Sequence, residues 1–195
     1  MLPLALDVSG WPVLLVGDGR AALARLDMLE AAGAGELTIF AAAPSAALRA
    51  RAGARLVERL PDEAEVAAAR LLLMAGLSAA DSARLAAIAR AHRVLVNAED
   101  VPPLCDAYAL AMVRRGNLVI AVSTEGRSPA LARALRQWLE ARFGPEWAGH
   151  LAAAAELRAV MRADGAGFPE ITAATTALLD DWLTRSFSPG AAPEG

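Results

Sequence analysis

The chain contains no lysine: all 19 of its basic side chains are arginine, which closes off any mechanism built on a lysine Schiff base, pyridoxal phosphate chemistry included. A single cysteine, Cys105, excludes an intrachain disulfide framework and fits a reducing compartment. The two histidines, His92 and His150, lie far apart in the chain and cannot close a structural zinc site with that one cysteine. Both imidazoles are read as surface groups, and no metal ligands are assigned. Positive charge is short as well. Against 22 acidic residues the net charge is −3, with no arginine cluster dense enough to follow a phosphate backbone, so nucleic acid is not expected as a partner. No apolar run approaches the ~20 residues of a membrane-spanning helix, so no membrane partner is expected. The opening MLPLALDVSG is apolar but lacks the basic start of a secretory leader. A cytoplasmic protein is expected.

What is present is apolar and small: 195 residues, 56% hydrophobic and 21% charged, enough for one sizeable core and a lesser second unit. The most informative stretch is Trp11 to Ala22, WPVLLVGDGRAA. Val13 to Val16 reads as a buried parallel strand and Gly17 as a tight turn. Gly19 allows a pyrophosphate to approach the backbone, and Ala22 is the small residue by which the following helix packs on the strand. Bound phosphates would sit on that helix N-terminus, around Arg20 and Ala21, where free N–H groups and the dipole favour anions. Beyond it the pattern alternates. A helix Ala21–Ala32 stops at Gly33; Glu36–Phe40 is a strand; a short helix starts at Pro44; Ala54–Glu58 is a strand. Helix from Pro61, strand Arg70–Ala75, helix Ala79–Ala91 and strand Arg93–Asn97 complete a run that predicts a doubly wound α/β parallel sheet, Rossmann-like, with helices on both faces.

Near residue 105 the pattern changes. Ala107–Arg114 and Leu118–Ser123 flank Arg115-Gly116-Asn117, a hairpin signature, and helices follow at about Pro129–Phe143, Pro145–Ala163 and Pro169–Phe187. The expected organisation is a nucleotide-binding domain at 1–112, a connector at 113–143 serving dimerisation, a helical domain at 144–188 and a disordered tail at 189–195.

Two further segments carry a resemblance: Asn97-Ala-Glu-Asp100-Val-Pro-Pro-Leu-Cys105-Asp106, and Ile120-Ala-Val-Ser123-Thr-Glu-Gly126-Arg127-Ser128-Pro129-Ala-Leu-Ala-Arg133. Together with VGDGRAALAR they resemble the precorrin-2 dehydrogenase/sirohydrochlorin ferrochelatase family, which also forms the N-terminal module of bifunctional sirohaem synthases. The resemblance covers about residues 1–145 in order and spacing. It implies NAD as cofactor and precorrin-2 and sirohydrochlorin as tetrapyrrole substrate and product, with Fe²⁺ as a further substrate where the member also inserts iron. It implies a homodimer whose hairpin and following helix exchange contacts, an active cleft between the nucleotide domain and the helical tail, and a catalytic carboxylate at Asp100. On the residues alone Asp100 follows a strand end, where open α/β sheets bind ligands, and a carboxylate there suits proton removal; an Asx turn before Pro102 is the competing role, and Glu99 and Asp106 are neighbouring carboxylates. Ser123, Gly126, Arg127 and Ser128 fall on the substrate loop by resemblance. Ser128 also reads as a helix cap, and Arg127, Arg133 and Arg136 either pair with substrate carboxylates or are solvated charges. Asn97 either hydrogen-bonds near the cofactor or ends its strand.

Three positions depart from the family pattern. Asp18 replaces a glycine and brings a carboxylate into the pyrophosphate loop, unfavourable if it faces the phosphates and harmless if it turns away. Phe40-Ala-Ala-Ala offers no acidic residue at the end of the second strand for a ribose diol. Ala75-Gly76-Leu77-Ser78 replaces a polar, acidic segment bordering the cofactor. The first and third departures keep a second reading in play, a non-catalytic member binding tetrapyrrole or nucleotide as a chaperone or regulatory subunit. A Rossmann-type sensor of a transport system explains the glycines but neither later segment.

Overall fold

The computed structural model describes residues 2–187, and the chain divides between Ala109 and Leu110 into two compact units. The first holds β1 (Pro12–Gly17), α1 (Gly19–Ala31), β2 (Glu36–Phe40), α2 (Ala46–Ala52), a 3₁₀ turn at Gly53–Arg55, β3 (Leu56–Val57), α3 (Glu63–Ala68), β4 (Leu71–Ala75), α4 (Ala79–Ala91) and β5 (Leu95–Ala98). The five strands are parallel in the order β3-β2-β1-β4-β5. The two-residue repeat of a strand sends Leu14, Val16, Leu72, Met74 and Val96 into one core with Val66 of α3 and Leu85, Ala86 and Ala89 of α4. Val13, Leu15, Leu37, Ile39, Leu71 and Leu73 enter a second core with Leu26 and Leu29 of α1 and Leu48 and Ala52 of α2. A strand covered on both faces has no polar side, which is why VLLV and LLLMA read as unbroken apolar runs. Each such Leu or Val removed from water contributes about 1.5–3 kcal/mol.

Caps decide where the helices start. Ser45 Oγ accepts from the Leu48 amide, so α2 begins after Pro44 rather than at it. Asp62 and Glu65 form a reciprocal capping box at α3, and Ser78 Oγ accepts from the Asp81 amide at α4. β3 is shorter than the five residues expected, because the 3₁₀ turn takes Ala54 and Arg55 out of the ladder.

The second unit holds β6 (Ala111–Arg115), β7 (Leu118–Val122), α5 (Pro129–Arg142), α6 (Trp147–Ala163) and α7 (Phe168–Phe187). Both hairpin strands therefore fall in one unit with the helices, where the sequence reading drew its boundary at 112. The Arg115↔Leu118 pair closes a two-residue loop whose first residue, Gly116, has φ 56°, the positive value such a loop needs. Arg115 Nε donates to the Phe143 carbonyl at 2.6 Å and Nη2 to the Glu140 carbonyl at 3.1 Å, supplying partners to the last turn of α5. His150 is not the surface imidazole expected. It stacks on Trp182 at 4.2 Å and meets Trp147 in a T-shaped contact at 5.1 Å, and its Nδ1 is buried without a hydrogen-bond partner among the described residues. Aromatic residues on α6 and α7 make the site a packing position, which the imidazole fills by its flat face. Among the described residues no helix is long and apolar enough to cross a membrane. The tail at 189–195, expected to be disordered, lies outside the described residues.

Candidate functional site

The sheet winds outward from β1 to β3 and returns to β4, so β1 and β4 are neighbours at the point where the winding reverses, the place where open α/β sheets bind ligands at their carboxyl ends. Gly17 ends β1 in register with Ala75 of β4. At φ 123° a Cβ on Gly17 would stand 1.7 Å from the Ala75 carbonyl oxygen, so the two backbones touch where any side chain would part them. The loop after β4 returns the contact: a Cβ on Gly76 would lie 2.6 Å from the Asp18 carbonyl oxygen. Gly19 differs in kind. Its φ is 86°, yet a Cβ there would meet nothing within 4 Å. The space in front of the first turn of α1 is open and its floor is bare backbone.

That first turn is also uncapped. Asp18 is the N-cap residue of α1 but its carboxylate makes no cap bond. Instead Oδ2 accepts from the Ser45 amide at 2.7 Å and Oδ1 from the Ser45 hydroxyl at 2.9 Å. Burial raises the Asp18 pKa, but the Gly19 amide, both Ser45 donors and the Arg49 charge outweigh it and hold the carboxyl below its ordinary value. The carboxylate the sequence placed in the pyrophosphate loop is thus anchored to α2. No side chain among the described residues accepts from the amides of Arg20 or Ala21, whereas α2, α3 and α4 all have side-chain caps. A wide-open glycine and uncapped amides at a helix N-terminus suit the phosphates of a dinucleotide. Arg20 is exposed with no partner among the described residues, and Ala22 is buried where α1 meets the sheet. Phe40 ends β2 with its ring in the core, 2% exposed, and Ala75 is likewise buried.

Asp100 lies beyond the end of β5 in a turn whose neighbours are all tied down. The Glu99 amide donates to the Met74 carbonyl at 2.9 Å, and the Asp106 amide to the Val96 carbonyl at 2.8 Å. The Cys105 thiol donates to the Ala98 carbonyl at 3.1 Å and accepts from the Ala98 amide at 3.3 Å, stitching across the turn. Asn97, 7% exposed, donates to the Ala107 carbonyl at 3.0 Å and accepts from Arg25 Nε at 3.3 Å. Within this frame Asp100 is exposed at φ 52°, and its carboxylate has no hydrogen-bond or ion-pair partner among the described residues. A left-handed non-glycine residue costs about 1–2 kcal/mol, held here by the bonds on either side. Its rivals are engaged: Glu99 lies 3.8 Å from Arg25, and Asp106 accepts from the Val96 amide at 3.2 Å and lies 3.7 Å from Arg90. Of the three carboxylates weighed from the sequence, Asp100 alone has no partner among the described residues. Sequence reasoning missed Arg25, which joins α1 to the end of β5. Its one sequence trace is its place as the closing arginine of VGDGRAALAR.

In the second unit, the loop before α5 is wound on itself. Thr124 Oγ1 donates to the Ser128 carbonyl at 3.1 Å, the Arg127 amide donates to the Thr124 carbonyl at 2.9 Å, and Ser123 Oγ accepts from the Glu125 amide at 3.2 Å. Glu125 and Gly126 take positive φ values of 52° and 74°. Ser128 caps α5, its Oγ accepting from the Leu131 amide at 3.3 Å. Arg136 pairs with Glu140 on its own helix, while Arg127 and Arg133 are exposed with no side-chain partner among the described residues.

A parallel sheet with its glycine turn at the reversal point, open in front of an uncapped helix, defines the first unit as a dinucleotide-binding α/β domain. A family model described as putative NAD(P)-binding matches residues 4–111, and one described as the central part of a sirohaem biosynthesis protein matches residues 115–142. The chain belongs to this NAD(P)-binding family, as the module found in siroheme synthases. It is 37% identical over 150 residues to the siroheme synthase of Methylococcus capsulatus, covering 73% of this chain and 31% of that protein. With a siroheme synthase of Pseudomonas putida the identity is 38% over 143 residues, covering 72% and 31%. The chain thus spans about a third of the length of the curated relatives it matches. A solved structure titled SirC, precorrin-2 dehydrogenase, shares the fold with a TM-score of 0.74 at 22% identity, covering 97% of this chain and 93% of that one.

Proposed function

We propose that this protein is a cytoplasmic, homodimeric precorrin-2 dehydrogenase that uses NAD to form sirohydrochlorin on the way to sirohaem. The observation that carries the reading is Asp100: an unpaired, exposed carboxylate held in a strained turn at the carboxyl end of the dinucleotide-binding sheet. The reaction removes one hydride and one proton from the macrocycle, giving sirohydrochlorin, NADH and H⁺. Bound NAD supplies the hydride acceptor. The chain's own part is to seat the pyrophosphate over Gly19 and the amides of Arg20 and Ala21, and to accept the ring proton on an Asp100 oxygen. Cys105 and Asn97 keep that carboxylate in place. Arg127 and Arg133 offer unpaired guanidinium groups to a carboxylate-rich substrate, for which their planar forks are well shaped. Iron insertion, with Fe²⁺ as substrate, needs pyrrole N–H protons removed and would call on the same carboxylate. The non-catalytic alternative draws on Asp18 and on the missing acidic pair at residues 75–78; the bonds from Ser45 to the Asp18 carboxylate weaken the first of these grounds.

The proposed dimer rests on α5. Leu131, Leu135 and Trp138, at helical spacing, are 51%, 40% and 53% exposed, and Val119 of β7 is 42% exposed. A stripe of large apolar side chains on an otherwise charged helix is the signature of a buried partner face. The deciding experiment is anaerobic incubation of the protein with precorrin-2 and NAD⁺. NADH and the sirohydrochlorin spectrum should appear together in equal amounts, and their absence with folded, NAD-bound protein would sink the activity.

A further inference from the structure

We propose that Asp18 is the residue that selects NAD over NADP. The inference deepens the reading above and rests on its dinucleotide site. In sheets of this kind the adenine-side ribose lies at the carboxyl end of the second strand, where an acidic side chain takes the ribose hydroxyls and turns away a 2′-phosphate. This chain has no such residue there, since β2 ends in Phe40 and continues through Ala41, Ala42 and Ala43. The carboxylate comes from the neighbouring strand. Asp18 follows the end of β1, which pairs with β2 in the register Val16↔Phe40, and its two oxygens reach across to the Ser45 amide and hydroxyl at 2.7 and 2.9 Å. Ser45 lies in the segment that leaves β2, so the bonds place a negative charge at the carboxyl ends of both strands.

The chemistry of the carboxylate fits the task. An ionised carboxylate has about four acceptor positions; Ser45 uses one on each oxygen and the Gly19 amide draws on a third. The carboxylate keeps acceptor capacity for a ribose hydroxyl, which is a donor. It repels a phosphate, which at neutral pH is an acceptor carrying like charge. Arg49 contributes to the field at Asp18, but its guanidinium is committed to Glu58 at 2.6 Å. The residue that breaks the family's glycine pattern thereby supplies the acidic group that the second strand lacks.

The test is titration calorimetry of the full chain with NAD⁺ and with NADP⁺. The unaltered protein should bind NAD⁺ more tightly by on the order of tenfold or more, as expected for hydrogen bonds to a charged group set against like-charge repulsion. In Asp18→Asn, which keeps an acceptor for Ser45 but loses the charge, the preference should fall to near parity, chiefly through tighter NADP⁺ binding. Asp18→Gly should also lose it, with weaker NAD⁺ binding. Equal affinity of the unaltered protein for both dinucleotides, or a preference that survives in folded Asp18→Asn, would overturn the assignment. Binding of neither by the unaltered protein would overturn the dinucleotide site itself and this inference with it, so the two failures are distinct. The comparison on the unaltered protein does not depend on any variant folding.

Discussion

At the scale of single residues, the side chains of the candidate site are those whose bonds run to distant parts of the chain, or to none. Asp18 was legible as a carboxylate in a glycine loop, but its direction was not, because its partner Ser45 lies 27 residues on and no local pattern connects them. Arg25 escaped notice for the same reason, its acceptor Asn97 being 72 residues away. Asp100 was legible as a candidate among three carboxylates; what singles it out is that Glu99 and Asp106 are engaged, a fact of packing. Replacing it with asparagine preserves shape and removes basicity. Asp100→Asn should therefore lower precorrin-2 oxidation by roughly 10²-fold or more, the usual scale for losing a general base. NAD affinity by calorimetry and the far-ultraviolet dichroism should be unchanged. Near-normal turnover would move the proton to another acceptor.

At the scale of elements, most of the fold could be read before it was seen, because each strand of the sheet is a short apolar run and α2, α3 and α4 begin at polar residues that cap them. Glu36–Phe40 and Ala79–Ala91 are observed with the bounds the sequence predicts. The misreadings are at ends, where a cap or a 3₁₀ turn decides and periodicity is silent, as at Pro44 and Ala54. The two glycines of the first turn read alike in sequence and separate in structure, and this yields a paired prediction. Gly17→Ala drives a methyl group into the Ala75 carbonyl and should destabilise the protein by about 3 kcal/mol or more in denaturant unfolding. Gly19→Ala places its methyl group in open space, costs only about 1–2 kcal/mol of backbone strain, and should weaken NAD binding at least tenfold. If Gly19→Ala bound NAD normally, the phosphates would not lie where the amides of α1 point.

At the scale of the whole molecule, the resemblance implies a dimer made through the hairpin and the helix after it, and the structure shows which apolar side chains of α5 are exposed. If Leu131, Leu135 and Trp138 form the proposed two-fold contact, Leu135→Glu should give a monomer by light scattering at micromolar concentration, with the first unit still able to bind NAD. A monomeric mass for the unaltered protein would rule the contact out. The register that sets Gly17 against Ala75 reaches further than the site it builds. The two halves of that crevice are supplied by segments separated by an entire excursion of the chain through α1, β2, α2, β3 and α3, and neither half is a binding surface alone. Closing so long a loop is entropically costly and slow, so the crevice cannot form as an early local structure. The mature chain cannot lose the crevice without opening its central strand pair. A dinucleotide held across that strand pair, and not by the unfolded chain, therefore resists opening of the sheet by RT ln(1 + L/Kd), where L is the free cofactor concentration, an effect that grows with that concentration.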